Sequence, residues 1–298
     1  MTINKQIILK NNPVGIPEET DFEIAESNLT EIGENEMMTK TIHLSLDPYI
    51  RGVITGRHIY SEKVNIGDTI VGRTVSEVIT SNHPNYNKGD IVVCSNGWQE
   101  YGVTNGEGVR KLDPFSAPLS TALGILGMPG LTAYAGLLVY GEPKENDLIV
   151  VSAASGPVGC MVGQIAQIYG AKAVGIAGTK EKCEAVINKF GFLDCINYKT
   201  ENLEQRIKEI CPHGIDVYFD NVAGATLDAV LENMANFGVI AVCGLMENYG
   251  SAERLPGPYN YDLILMKRLR FEGFFSPDFY HREQEINPIL MKWSNKGM

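Results

Sequence analysis

Two hydrophobic rhythms divide the chain. Up to residue 126, short alternating or β-branched runs at 39–46, 69–79, 90–94 and 100–104 stand between turn signals such as Ile66-Gly67-Asp68 and Lys88-Gly89-Asp90. In these turns the glycine supplies a positive φ and the aspartate side chain bonds the backbone. The pattern predicts a compact antiparallel barrel or sandwich. Beyond it, strands at 148–151, 172–177, 194–196, 217–219 and 238–243 alternate with helices at 158–169, 180–189, 202–210 and 226–234, and 269–275 reads as a sixth strand. The first helix carries apolar residues at 158, 161, 162, 165, 166 and 169, a single helical face. Strands and helices alternating at this spacing make βαβ units, hence a parallel, doubly wound sheet.

The junction between the first strand and helix of that second half carries the strongest chemical signal. The run Ile149-Val150-Val151-Ser152-Ala153-Ala154-Ser155-Gly156-Pro157-Val158-Gly159 is a buried strand that breaks into a small-residue turn and opens a helix. A helix N-terminus presents free N–H groups and the positive end of its dipole, which suits a pyrophosphate. The spacing A-x-x-G-x-x-G (Ala153, Gly156, Gly159) is a relative of the dinucleotide fingerprint, with alanine for the first glycine.

Composition narrows the partners. The 298 residues suffice for two domains, and 44% hydrophobic with 20% charged residues is an ordinary globular balance. A net charge of -11 repels nucleic acid and anionic membrane surfaces alike. No apolar run reaches membrane-spanning length, and residues 1–10 lack the apolar core and cleavage site of a secretory leader, so a cytoplasmic protein is expected. The six cysteines form no C-x-x-C pair and the five histidines no H-x-x-x-H pair. No sequence-local metal site is therefore expected, and the cysteines read as small buried thiols in a reducing compartment.

The end of the second strand bears on which dinucleotide is bound. An NAD-preferring fold places an acid there to bond the ribose 2′-hydroxyl. Here the chain reads Ile176-Ala177-Gly178-Thr179-Lys180-Glu181-Lys182. A small residue followed by lysines leaves room for a 2′-phosphate and neutralises it, which points to NADP(H). The lysines could instead form a solvated helix start, with Glu181 favoured by the helix dipole.

These features, with Leu46-Asp47-Pro48-Tyr49-Ile50-Arg51-Gly52, Gly127-Met128-Pro129-Gly130-Leu131-Thr132-Ala133-Tyr134, Asn197-Tyr198-Lys199, Asp220-Asn221-Val222-Ala223-Gly224 and Cys243-Gly244, resemble a zinc-independent medium-chain dehydrogenase/reductase. More narrowly the chain resembles the leukotriene B4 dehydrogenase, prostaglandin reductase and alkenal double-bond reductase family. The resemblance implies a GroES-like catalytic domain at 1–126, a Rossmann NADP-binding domain at 127–262, and the last Rossmann strand with the start of a return to the catalytic domain at 263–298. It puts Gly156, Pro157, Val158 and Gly159 beneath the pyrophosphate, Lys182 on the 2′-phosphate and Tyr198 beside it. It puts Asn221 near the nicotinamide-side ribose, and Cys243, Gly244 and Tyr249 along the nicotinamide, with Phe274 and Phe275 also at the cofactor. Tyr49, Arg51 and Tyr249 are the implied catalytic residues. Asn221 could equally cap the next helix, Tyr198 be a loop aromatic, Cys243 pack a strand, and Arg51 tie two segments together.

The implied reaction is reduction of a carbon–carbon double bond conjugated to a carbonyl, in enals, enones or 15-oxo-prostaglandins. Hydride from NADPH attacks the β-carbon, and the developing enolate requires hydrogen-bond donors rather than a metal. The pattern breaks in two places. Met266 stands where many relatives carry a tyrosine, and a thioether cannot donate a proton. Tyr249, Tyr259, Tyr261, the cofactor ribose hydroxyl or water could substitute, with ribose and water preferred. The chain also ends at Met298 where relatives run on, so a truncated C-terminal tail is expected. A quinone reductase and a non-catalytic NADPH-binding protein are the competing readings. A homodimer is possible, and loops 55–65 and 246–262 are expected to shape the substrate cleft, the second as a lid.

Overall fold

A computed structural model describes residues 3–58, 61–249, 253 and 256–297. The chain divides into two compact units, 1–123 with 249–252, and 124–248 with 253–298. Within loops 55–65 and 246–262, which are expected to shape the cleft, Ile59, Tyr60, 250–252, 254 and 255 lie outside the described residues.

The first unit is built on antiparallel strands: β1 (Ile3–Leu9), β2 (Phe22–Asn28), β3 (Met37–Leu44), β4 (Thr74–Ser81), β5 (Ile91–Cys94), β6 (Tyr101–Thr104) and β7 (Arg110–Leu112). β1 and β2 pair alone, and the other five form a GroES-like sheet in the order β6-β3-β4-β5-β7. Both expected glycine–aspartate turns form as their chemistry requires. Gly67 and Gly89 take φ of 95° and 92°. Asp68 accepts from the Asn65 N–H at 3.1 Å and Asp90 from the Asn87 N–H at 2.8 Å.

The expected strand 69–79 starts later, at Thr74, and runs on to Ser81; just before it Gly72 makes a close approach, where a Cβ would lie 3.0 Å from the Trp98 ring and 3.1 Å from Leu44. A short helix, α1 (Ile50–Thr55), was not anticipated. Its apolar residues Ile50, Val53 and Ile54 have helical spacing and bury against Leu9, Val64 and Ile70. Gly56, left-handed at φ 70°, ends it.

The second unit follows the predicted alternation closely. Its strands are β8 (Leu148–Val151), β9 (Lys172–Ala177), β10 (Asp194–Asn197), β11 (Ile215–Asp220), β12 (Met234–Val242) and β13 (Arg270–Gly273). They form one parallel sheet in the order β10-β9-β8-β11-β12-β13. The helices are α2 (Met128–Tyr134), α3 (Pro157–Ile168), α4 (Lys180–Phe190), α5 (Leu203–Ile210), α6 (Gly224–Asn233), α7 (Met246–Tyr249), α8 (Asp262–Met266) and α9 (Glu283–Ser294).

The sheet is buried on both faces, as parallel sheets are. Ile149, Val151 and Ala173 face α3 and α4, while Val217, Phe219 and Ala241 on the same face pack with the helical segment 135–141 and Phe274. Their neighbours Val150, Val174, Tyr218 and Ile240 face α5 and α6. The sheet is therefore a doubly wound Rossmann sheet. The chain runs outward from β8 to β10 and then returns to β11 on the other side of β8. The strand order reverses between β8 and β11, and ligands of open α/β sheets bind at the carboxyl ends there.

Candidate cofactor and active site

The turn after β8 stands at this switch point and is held by backbone. The Ala154 N–H donates to Ile176 O at 3.0 Å and the Gly156 N–H to Ala153 O at 2.9 Å. Ala153 takes φ 49°, the left-handed conformation for which the fingerprint normally keeps a glycine. Gly159 allows the helix to close on the strand: a Cβ there would lie 2.5 Å from Ala153 O and 2.8 Å from Ala154 Cα. At Gly156 a Cβ would meet only Ala153 O within reach, at 3.2 Å, so its outer side is open backbone. No side chain caps α3, and Pro157 opens it without an N–H of its own. The N–H groups of Val158 and Gly159, which lack intrahelical acceptors, face outward together with the dipole. This is an anion seat.

Across the switch point, the loop after β11 is held by side chains. Asp220 is fully buried. Its Oδ1 accepts from the Tyr218 hydroxyl at 2.9 Å, the Val222 N–H at 2.9 Å and the Ala223 N–H at 2.8 Å. Its Oδ2 is buried without a hydrogen-bond partner among the described residues. Burial pushes this carboxyl above its ordinary range more strongly than the donors pull it down. Ser152, at the end of β8, bonds the neighbouring residue: its hydroxyl accepts from the Asn221 N–H and its carbonyl from Asn221 Nδ2, both at 2.8 Å. Asn221 therefore bridges the two strand ends and does not cap α6. The cap is Glu247, whose Oε2 accepts from the Ala225 N–H at 3.2 Å. Neither Ser152, Asp220 nor Glu247 was singled out in the sequence, because they converge from separate segments.

At the end of β9, Gly178 is backed by an aromatic wall. A Cβ at Gly178 would stand 3.0 Å from Tyr198 Cε1 and 3.2 Å from its hydroxyl, so a carboxylate side chain has no room without displacing the ring. Thr179 caps α4, accepting from the Lys182 N–H at 3.2 Å. Tyr198 follows β10 and is about half exposed (49%). Small residue and exposed phenol meet at one strand end, with Lys182 in the first turn of the helix that follows, and this set of residues fits a 2′-phosphate.

The remaining candidates occupy other strand ends. The Cys243 and Gly244 N–H groups both donate to Asp220 O, at 2.8 and 3.0 Å. Burial, aided by Asp220, pushes the Cys243 thiol up to about 12, so it is protonated at neutral pH. Phe274 stacks on Tyr140 at 5.2 Å and meets Phe219 edge-on at 5.9 Å. Its ring is thus engaged in packing, while Phe275 opens a 3-10 turn at Ser276–Arg282. Tyr249 ends α7. Met266 ends α8 and is exposed.

In the first unit, the Arg51 guanidinium donates through Nε (3.1 Å) and Nη2 to the single carbonyl of Gly15. It ties α1 to the segment between β1 and β2. Tyr49 begins α1, and its ring lies 5.7 Å from that of His58, a residue without a sequence signal. Burial lowers the His58 pKa below its ordinary value.

Among the described residues, no group of three or more His, Cys, Asp or Glu side chains is arranged to hold a metal ion. Among the described residues no helix is long and apolar enough to cross a membrane. Residues 5–112 match the family model described as the N-terminal domain of oxidoreductase, and 157–294 the model described as zinc-binding dehydrogenase. The chain is 41% identical to the NADPH-dependent curcumin reductase of Escherichia coli over 295 residues, covering 97% of this chain and 86% of that one. It is 43% identical to the NADP(+)-dependent 2-alkenal reductase of Nicotiana tabacum over 286 residues, covering 93% and 82%. The crystal structure of CurA from Vibrio vulnificus in complex with NADPH superposes with a TM-score of 0.93 at 38% identity, covering 98% of this chain and 88% of that one. The match spans both units. The chain belongs to the zinc-independent, NADP(H)-dependent reductases of the medium-chain dehydrogenase/reductase family.

Proposed function

We propose that the protein reduces the carbon–carbon double bond of α,β-unsaturated aldehydes and ketones with NADPH. The observation that carries this is the likeness, over nearly the whole chain, to a curcumin reductase and a 2-alkenal reductase, whose substrates are conjugated carbonyls. The seat at the switch point supports it chemically.

In this reading Gly156, Pro157, Val158 and Gly159 hold the pyrophosphate through backbone N–H groups, and Lys182 and Tyr198 hold the 2′-phosphate. Asn221, fixed by Ser152, orients the ribose on the nicotinamide side, and Cys243 and Gly244 border the ring. Bound NADPH supplies a hydride for the substrate β-carbon. The protein's part is to supply donors for the enolate oxygen, and Tyr49 and Tyr249 are the phenols assigned to it. Arg51 serves by holding Tyr49's helix against Gly15, because two of its donors are already engaged there. The α-carbon proton comes from the cofactor ribose hydroxyl and water, since Met266 offers none. A cytoplasmic location, a homodimer and a lid at 246–262 belong to the same proposal.

The test follows NADPH oxidation with 4-hydroxynonenal, a 15-oxo-prostaglandin, a long-chain enone and a quinone. Turnover of an enal or enone is expected, with deuterium from [4-2H]NADPH appearing at the β-carbon of the saturated product. Turnover of the quinone alone would replace this reading with quinone reduction. NADPH binding without turnover of any substrate would make the protein a non-catalytic binder.

A further inference from the structure

The lysines around Gly178 differ in what neutralises them. Lys180 lies 3.9 Å from Glu184. Lys182 and Lys199 have no carboxylate within salt-bridge distance among the described residues. Lys199 is nevertheless not remote from the strand end. A Cβ at Gly178 would lie 3.4 Å from Lys199 Cε, on the same side as the Tyr198 ring. Its backbone is fixed too: the Lys199 N–H donates to Asn197 Oδ1 at 3.2 Å in the turn that closes β10.

The acids nearby are held away from this lysine. Glu201 accepts from the Asn197 N–H at 2.7 Å and pairs with Arg206 Nε at 2.9 Å. The same guanidinium takes Asp194 at 3.1 Å and Glu209 at 2.7 Å. Glu181 bonds the Thr179 hydroxyl and its own backbone N–H, and Lys180 stands close enough to favour its charge. Arg206 thus gathers three carboxylates, Asp194, Glu201 and Glu209, into one ion-pair cluster. The Tyr198 ring and the Lys199 side chain stand beside a residue with no side chain. A dianion seated beside Gly178 would lie next to Lys199, with Lys182 following in the first turn of α4.

We infer that Lys199 is a second cation for the 2′-phosphate and sets the preference for NADPH over NADH together with Lys182. This rests on the reading that puts Lys182 and Tyr198 at that phosphate.

Titration calorimetry with 2′,5′-ADP and with 5′-ADP tests it, on the whole chain and at two salt concentrations. Lys199→Ala should weaken 2′,5′-ADP binding roughly 5-fold and Lys182→Ala roughly 10-fold or more, with a far smaller effect on 5′-ADP. Lys199→Arg should restore most of the loss, and the gap between wild type and Lys199→Ala should narrow as salt rises. If Lys182→Ala weakens 2′,5′-ADP and Lys199→Ala does not, Lys199 is a solvated surface lysine and the inference fails. If neither variant discriminates between the two nucleotides, the underlying placement of the 2′-phosphate fails with it.

Discussion

The turn at 153–159 and the loop at 220–225 face each other across the switch point, and they are held by opposite means. The first is backbone throughout: two hydrogen bonds between main-chain groups and a glycine that lets helix and strand close together. The second hangs on one buried carboxylate, which gathers a phenol and two backbone N–H groups, and on Glu247, which caps the helix that follows. Each contains an alanine at positive φ, Ala153 at 49° and Ala223 at 65°. Strain of this kind persists only where surrounding contacts over-determine the backbone. A seat made of backbone tolerates no added Cβ but needs no particular neighbour. A loop held by side chains depends on residues far away in the chain.

Removing the carboxylate should separate the two most sharply. Asp220→Ala leaves the Tyr218 hydroxyl and the Val222 and Ala223 N–H groups without their acceptor inside the core. It should destabilise the protein by roughly 4 kcal/mol, read as a fall in the urea midpoint. A loss under about 1 kcal/mol would mean that the loop is held by something else. Asp220→Asn keeps an acceptor oxygen and should lose much less. Its value lies in the pH dependence. Because burial raises the Asp220 pKa, the folded chain binds a proton there more tightly than the unfolded chain does. The contribution is therefore present below the unfolded pKa, about 3.9, and is lost as pH rises through the raised folded value. Wild type should lose stability relative to Asp220→Asn as pH climbs from about 4. The opposite slope would show that the hydrogen bonds, not burial, dominate this carboxyl.

On the other side of the switch point, Gly159→Ala forces a Cβ against Ala153 O and Ala154 Cα. Both are backbone atoms that cannot swing aside, so the first turn of α3 must back off the strand. A loss of about 2 kcal/mol is expected, with a larger proportional loss in NADPH affinity as the N–H groups of Val158 and Gly159 move. Calorimetry with NADPH reads the second effect. Unchanged affinity would remove the seat from the cofactor.

The same contrast explains what was legible beforehand. The six-stranded sheet, its helices and the fingerprint turn were readable because β-branched runs, helical periodicity and glycine spacing are themselves the physical cause of those elements. β1, β2 and β7 were not: Ile24 on β2 is 73% exposed, so neither alternation nor burial marks that strand. α1 hid inside a β-branched run and is helical only because its buried positions follow helical spacing. The anchors of the second loop were invisible for another reason. Ser152, Tyr218, Asp220 and Glu247 acquire their roles by convergence, and each alone reads as an ordinary strand or helix residue. Arg51 is a further case: the motif marks the residue, but only the structure shows its bonds to the Gly15 carbonyl.

The smallest effect tests the strain itself. Ala223 combines φ 65° with ψ -152°, a region essentially reserved for glycine, whereas Ala153 sits in the milder left-handed region. Glycine relieves the first at a strain of about 1–3 kcal/mol, offset by about 0.5–1 kcal/mol of added unfolded-state entropy. Ala223→Gly should therefore stabilise by about 1 kcal/mol, and Ala153→Gly by roughly half as much. The ranking matters more than either value. If Ala153→Gly proved the larger gain, the backbone-held turn would be the more strained of the two, and the carboxylate at Asp220 would be relaxing its loop rather than holding it against strain.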